Sequence, residues 1–243
     1  MMDNGQNNLG DKMKTIGLIG GMTSESSSEY YNLINKFTRK ALGGNHSAKS
    51  VMISVDFGEM EPLMESGEWE RLKTELSEIA VNIEKGGADF LVICTNTIHK
   101  FADEIGNAIN IPILNIIDSV ASNIKDQGFK KIGLIGTKFT MEEDFYRLRL
   151  KEKHGIDSII PNKAERDYIH RIIMDELSIG VLKDSSRRKY ISIIEELARE
   201  GAEGVILGCT EIPLLVKSKD CNIPTFDTTE IHAKAAVDKA LLS

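Results

Sequence analysis

The chain repeats itself, and this constrains its fold more than any other feature. Lys14-Thr15-Ile16-Gly17-Leu18-Ile19-Gly20 returns as Lys130-Lys131-Ile132-Gly133-Leu134-Ile135-Gly136, 116 residues further on. Gly87-Ala88-Asp89-Phe90-Leu91-Val92-Ile93 returns 114 residues later as Gly201-Ala202-Glu203-Gly204-Val205-Ile206-Leu207, and Asn110-Ile111-Pro112 returns 112 later as Asn222-Ile223-Pro224. Three matches in the same order, with a slowly drifting offset, describe two similar halves rather than chance likeness.

Each half alternates short β-rich apolar runs with amphipathic helical patterns, the signature of βαβ units around parallel sheets. The runs predict strands over residues 16–19, 51–55, 90–94, 113–116, 132–135, 159–160 and 205–207. Helical stripes are clearest in Leu72, Leu76, Ile79, Ala80 and Ile83, in Tyr190, Ile193, Ile194 and Leu197, and in a helix starting near Thr23. The expected fold is therefore α/β: two similar doubly wound parallel-sheet domains related by pseudo-two-fold symmetry, with an active site in the cleft between them. Residues 14–117 plus 226–243 are read as the first domain, residues 118–225 as the second, and residues 1–13 as a flexible tail.

Composition removes several functional classes. With 30 Lys plus Arg against 37 Asp plus Glu, the formal charge is −7, which argues against a phosphate backbone as the main partner. No apolar run approaches the roughly 20 residues of a membrane span, and the polar start lacks the hydrophobic stretch of a secretory signal. A cytoplasmic location without membrane or nucleic-acid partners is expected. Three cysteines, Cys94, Cys209 and Cys221, are an odd number for a disulfide framework, so any that matters should act as a thiol. No His, Cys and Asp cluster has metal-ligand spacing, so no metal is expected. Gly17, Gly20 and Gly21 do not make the dinucleotide fingerprint.

Both halves carry a protic tripeptide where the repeated strand ends: Thr95-Asn96-Thr97 and Cys209-Thr210-Glu211. The 114-residue offset pairs Thr95 with Cys209, and Cys94 with Gly208. Adjacent strand residues point to opposite faces, so Cys94 and Thr95 cannot both meet one ligand. Cys94 then reads as a buried strand residue. Two protic side chains facing a ligand from opposite sides suit a reaction in which one removes a proton and the other delivers one to the opposite face. His99 could orient this site or simply pack and cap; both readings stand.

These residues carry a resemblance. Residues 14–23, Ile93-Cys94-Thr95-Asn96-Thr97-Ile98-His99-Lys100, Gly133-Leu134-Ile135-Gly136-Thr137 and Leu207-Gly208-Cys209-Thr210-Glu211-Ile212-Pro213 are similar to motifs of the aspartate/glutamate racemase family. The resemblance implies a cofactor-independent amino-acid racemase acting on aspartate or glutamate, with a tendency to form homodimers. It implies Thr95 and Cys209 as the catalytic pair. It also implies substrate contacts from Met22, Met64, Thr95, Asn96, Thr97 and Thr210. Many relatives carry Cys where this chain has Thr95; the Thr/Cys variant resembles the branch associated with L-aspartate and L-glutamate. A hydantoin racemase, a decarboxylase or a cis-trans isomerase of a small dicarboxylic acid would use a similar two-sided site. A non-catalytic dicarboxylate-binding protein is the reading from another class. For the distal carboxylate, Lys49, Lys163 and Arg166 are the candidates.

Overall fold

The computed structural model describes residues 13–242. The expected tail at 1–13 lies outside the described residues except for Met13, which is buried against Ile16, Tyr30 and the C-terminal helix rather than loose.

Among the described residues, seven strands form two sheets in which every pairing is parallel. The first has β1 (Ile16–Gly20) between β2 (Ser50–Ser54) and β3 (Phe90–Ile93); the second runs β5 (Asp157–Ile159), β4 (Lys131–Gly136), β6 (Val205–Gly208), β7 (Thr225–Asp227). Strands β1, β3, β4 and β6 are buried almost throughout, as parallel strands covered on both faces must be. The repeat is therefore structural: β1 answers to β4, β2 to β5 and β3 to β6.

The fourth position differs between halves. Residues 113–116 were expected as a strand, but only Ile113 pairs, as a single bridge to Leu91, and helix Ile116–Asp126 begins at once. Its cap is Asn115, whose side chain accepts the Ile117 N–H. The counterpart 112 residues on is Asp227, which caps helix Thr228–Leu241 by accepting from Thr229 and Glu230. Here Thr225, Phe226 and the cap Asp227 itself pair with Val205, Ile206 and Leu207, so β7 is a strand, one that its single apolar residue did not announce.

The two capped helices exchange partners. Helix Ile116–Asp126 buries Ile116, Ile117, Val120, Ala121 and Ile124 against Ile132, Leu134 and Ile206 of the second sheet. Helix Thr228–Leu241 returns to the first half, where Ala233, Ala236, Val237 and Ala240 pack on Ile16, Leu18 and Tyr30. The boundary drawn after residue 117 thus falls inside a helix, and the one before 226 falls inside β7. The expected stripes are present: Leu72, Leu76, Ala80 and Ile83 are buried on helix Trp69–Lys85, and Tyr190, Ile193, Ile194 and Leu197 on helix Asp184–Arg199. Among the described residues no helix is long and apolar enough to cross a membrane.

Where β1 ends, Gly21 takes φ +94°, and a Cβ there would sit 2.1 Å from the Val55 carbonyl oxygen. Gly43, at φ +76°, has open space instead. Gly21→Ala should therefore cost more than about 2 kcal/mol and Gly43→Ala only about 1 kcal/mol, since the second meets backbone strain without a clash. Urea unfolding of both variants checks this, and equal losses would contradict it.

Candidate active site

The carboxyl ends of β1, β3, β4 and β6 converge on one cavity, about 770 Å³ out to its open mouth. Its wall carries Met22, Met64, Thr95, Asn96, Thr97, Cys209 and Thr210, all seven residues anticipated at the site. Cys94 is absent from the wall. It is buried in the first core, its N–H bonded to Ile19 O, and burial pushes its thiol far up. Thr95, one residue on, is half-buried and meets the cavity.

The Cys209 side is organised by Glu211. This carboxylate is buried, and it accepts from the Cys209 thiol at 2.8 Å, the Thr210 hydroxyl at 2.8 Å and the Thr23 hydroxyl at 2.9 Å. Thr23 belongs to the first half, where its hydroxyl also caps helix Ser24–Leu42 by accepting the Ser26 N–H. Burial, then the Glu211 charge, push the Cys209 thiol well above its ordinary range, while the Glu211 and Thr210 N–H groups pull it down. These surroundings favour the protonated thiol, which donates to the Glu211 carboxylate.

On the opposite side, Asn96 donates from Nδ2 to Thr228 Oγ1 at 3.0 Å, and Thr228 donates to Leu207 O at 3.0 Å. Asn96 Oδ1 is buried and has no partner. The Thr97 hydroxyl lies 3.1 Å from that of Thr137 and 3.5 Å from that of Thr140, so three hydroxyls join the halves. Thr137 caps helix Lys138–Glu142, much as Thr23 caps its own helix.

A second bridge closes the rim. Lys100 Nζ sits 3.6 Å from the Trp69 ring centroid and 2.7 Å from Glu143 Oε2 across the divide. Phe139 meets Trp69 edge-on, with centroids 5.2 Å apart, and His170 meets Phe139 at 5.9 Å. Phe139 and His170 line the cavity. Such cation–π and edge-to-face contacts contribute about 0.5–2 kcal/mol each.

The cavity separates charges. Glu61 and Glu65 come from helix Phe57–Ser66 and Lys138 from the second half, where burial and then Lys138 hold the neighbouring His170 below its ordinary range. The expected distal-carboxylate candidates are elsewhere: Lys49 is exposed off the wall, Lys163 pairs with Asp167, and Arg166 is held by Glu142 and Pro161 O. Sequence reasoning missed Lys138 and His170 because nothing in their neighbourhood marks them. The repeat offset of 116, which pairs Met22 with Lys138, was the available signal. Among the described residues no group of His, Cys, Asp and Glu could hold a metal ion.

The Asp/Glu/Hydantoin racemase family model matches residues 19–236. The chain belongs to that family. It is a racemase, an isomerase by class. Its sequence is 22% identical to the broad specificity amino-acid racemase RacX of Bacillus subtilis, over 93% of this chain and 98% of that one. A Yersinia pestis structure provisionally named an Asp/Glu racemase is 49% identical, with a TM-score of 0.89 over 95% of this chain and all of that one. PH1733 of Pyrococcus horikoshii, described as an aspartate racemase homologue, is 37% identical, with a TM-score of 0.82 over 94% and 99%. The two similar parallel-sheet halves of this racemase match the fold of solved glutamate racemases, among them that of Aquifex pyrophilus, at a TM-score of 0.62.

Trp69 is the single tryptophan, so it reports on the rim. Phe139→Ala should uncover the indole edge, shifting emission to the red and raising acrylamide quenching. Unchanged emission would mean that Phe139 does not cover it.

Proposed function

We propose that this racemase inverts aspartate, glutamate or both at the α-carbon, without a cofactor, using Cys209 and Thr95 on opposite faces. The observation that carries the reading is the Glu211 carboxylate bonded to the Cys209 thiol in a cavity whose wall Thr95 also lines. Residues 14–117 with 226–243, and residues 118–225, are taken as the two units that flank the site.

Glu211 accepts the thiol proton, and the resulting thiolate takes the α-proton as the Cα–H bond breaks. Negative charge moves onto the α-carboxylate, where the Thr97 hydroxyl and nearby backbone N–H groups offer donors. Thr95 Oγ1–H delivers its proton to the opposite face; Glu211 then releases the proton it took to water, and the Thr95 alkoxide takes one from water, which restores both groups. Asn96 Oδ1, an acceptor without a partner, suits the substrate ammonium. The charge division of the wall supports an acidic amino acid: Lys138 suits the distal carboxylate, with His170, which burial and Lys138 hold below its ordinary range, beside it as a neutral ring, while Glu61 and Glu65 disfavour an anion on their side.

The faces are unequal. A thiol titrates near about 8.5 when free, whereas a threonine hydroxyl is a far weaker acid. Because enantiomers have an equilibrium constant of one, this inequality can alter kcat and KM but not the equality of kcat/KM in the two directions. Small dicarboxylates handled by decarboxylation or isomerisation would fit the same cavity, but they would leave Asn96 Oδ1 without its ammonium.

Incubating each pure enantiomer of aspartate and glutamate with the protein, without added cofactor, should give loss of optical purity on chiral chromatography. Cys209→Ala and Thr95→Ala should each lower inversion on the order of 10²–10⁴-fold, equally in both directions. Binding without any loss of optical purity would overturn the reading in favour of a binding protein. Glu211→Gln removes the charge that raises the thiol, so Cys209 should ionise at lower pH. The pH profile of its alkylation should move down, and an upward move would contradict the role given to Glu211.

A further inference from the structure

His99 does not line the cavity, yet it is bonded to the residue that does the work on the first-half face. Its imidazole is buried, at 4% exposure, beneath the turn that follows β3. Nδ1 lies 2.7 Å from the carbonyl oxygen of Thr95, and a carbonyl can only accept, so Nδ1 carries the proton. Nε2 is then an acceptor, and the Ile116 N–H donates to it at 3.1 Å. The tautomer follows from its two partners.

Ile116 opens the helix that crosses to the second core, and its N–H is one of the first-turn donors that a helix cannot satisfy itself. The imidazole thus joins two backbone points 21 residues apart: the turn that presents Thr95, and the place where the chain leaves the first half. A second buried imidazole supports it. His232, with its ring centroid 5.7 Å away, is bonded through Nε2 to Leu114 O at 2.8 Å and through Nδ1 to the Tyr30 hydroxyl at 2.8 Å. Leu114 is itself tied to Leu91 of β3. Burial first, then His232, hold His99 down to about 3, so it stays neutral wherever the protein works. Arg149 and Asp118 are the other charges facing it.

We propose that His99 is a positioning residue: its Nδ1–H holds the Thr95 carbonyl, and with it the turn that aims the Thr95 hydroxyl into the cavity. The inference rests on the two-base reading above. It gives His99 a role in inversion and none in proton removal by Cys209.

The two nitrogens can be separated by substitution. His99→Asn retains a donor near Nδ1, and His99→Gln retains an acceptor near Nε2 without the donor to Thr95. Each is incubated with a pure enantiomer of aspartate or glutamate in heavy water. Deuterium incorporation at Cα without inversion, and inversion itself, are followed separately. His99→Gln should lose inversion at least tenfold while exchange at the Cys209 face and KM stay within about threefold of wild type. His99→Asn should retain both. Parallel loss of exchange and inversion in His99→Gln, or wild-type inversion in that variant, would overturn the proposal. Wild type that neither exchanges nor inverts would instead overturn the two-base reading. Should neither variant fold, ¹⁵N shifts of His99 in the wild type decide. An Nδ1-protonated neutral ring from pH 5 to 9 is expected, and the Nε2-protonated tautomer would overturn the proposal.

Discussion

The site depends on one buried carboxylate. Glu211 accepts three hydrogen bonds, from Cys209 and Thr210 beside it and from Thr23 of the other half. Buried carboxylates are expensive without partners, so this arrangement holds the halves in register as well as holding a thiol. The Thr97, Thr137 and Thr140 hydroxyls and the Trp69, Lys100 and Phe139 rim add further ties across the same gap. A site built from two strand ends needs such ties, because neither half alone can present both faces to a ligand.

The exchange of helices makes the halves inseparable. Each sheet is covered by the helix that follows the other half's last strand position. The hydrophobic surface that stabilises one half is therefore supplied partly by the other. Polar contacts at the cavity rest on that scaffold, which explains how a small set of hydroxyls and one carboxylate can be placed reproducibly at its floor. His99 and His232 occupy the crossing point, where buried neutral imidazoles serve as backbone fasteners.

Much of this was legible in the sequence because the repeat is written in residues with strong local meaning. Gly-Leu-Ile-Gly runs, the Asn-Ile-Pro pairs and the two protic tripeptides point to two similar parallel-sheet halves and to the pairing of Thr95 with Cys209. The strand at Thr225–Asp227 was not legible, since three residues with one aromatic carry no periodic signal, and its counterpart at Ile113 shortens to a bridge under an earlier helix cap. Glu211 stood in the protic tripeptide without a role of its own, and the bond it accepts from Thr23, 188 positions away, is visible only in the fold. Lys138, Phe139 and His170 reach the wall through tertiary packing, which no local pattern encodes. The expected carboxylate partners Lys163 and Arg166 were instead taken by ion pairs with Asp167 and Glu142.

The central claim is that two chemically unequal groups work on opposite faces of one carbon. It is tested most directly in heavy water, by comparing deuterium incorporation into recovered, uninverted aspartate or glutamate between wild type and Cys209→Ala. An enantiomer whose α-hydrogen faces Cys209 should gain deuterium faster than it inverts, and Cys209→Ala should abolish that excess. Incorporation no faster in wild type than in Cys209→Ala would contradict a proton-transferring thiol at this position.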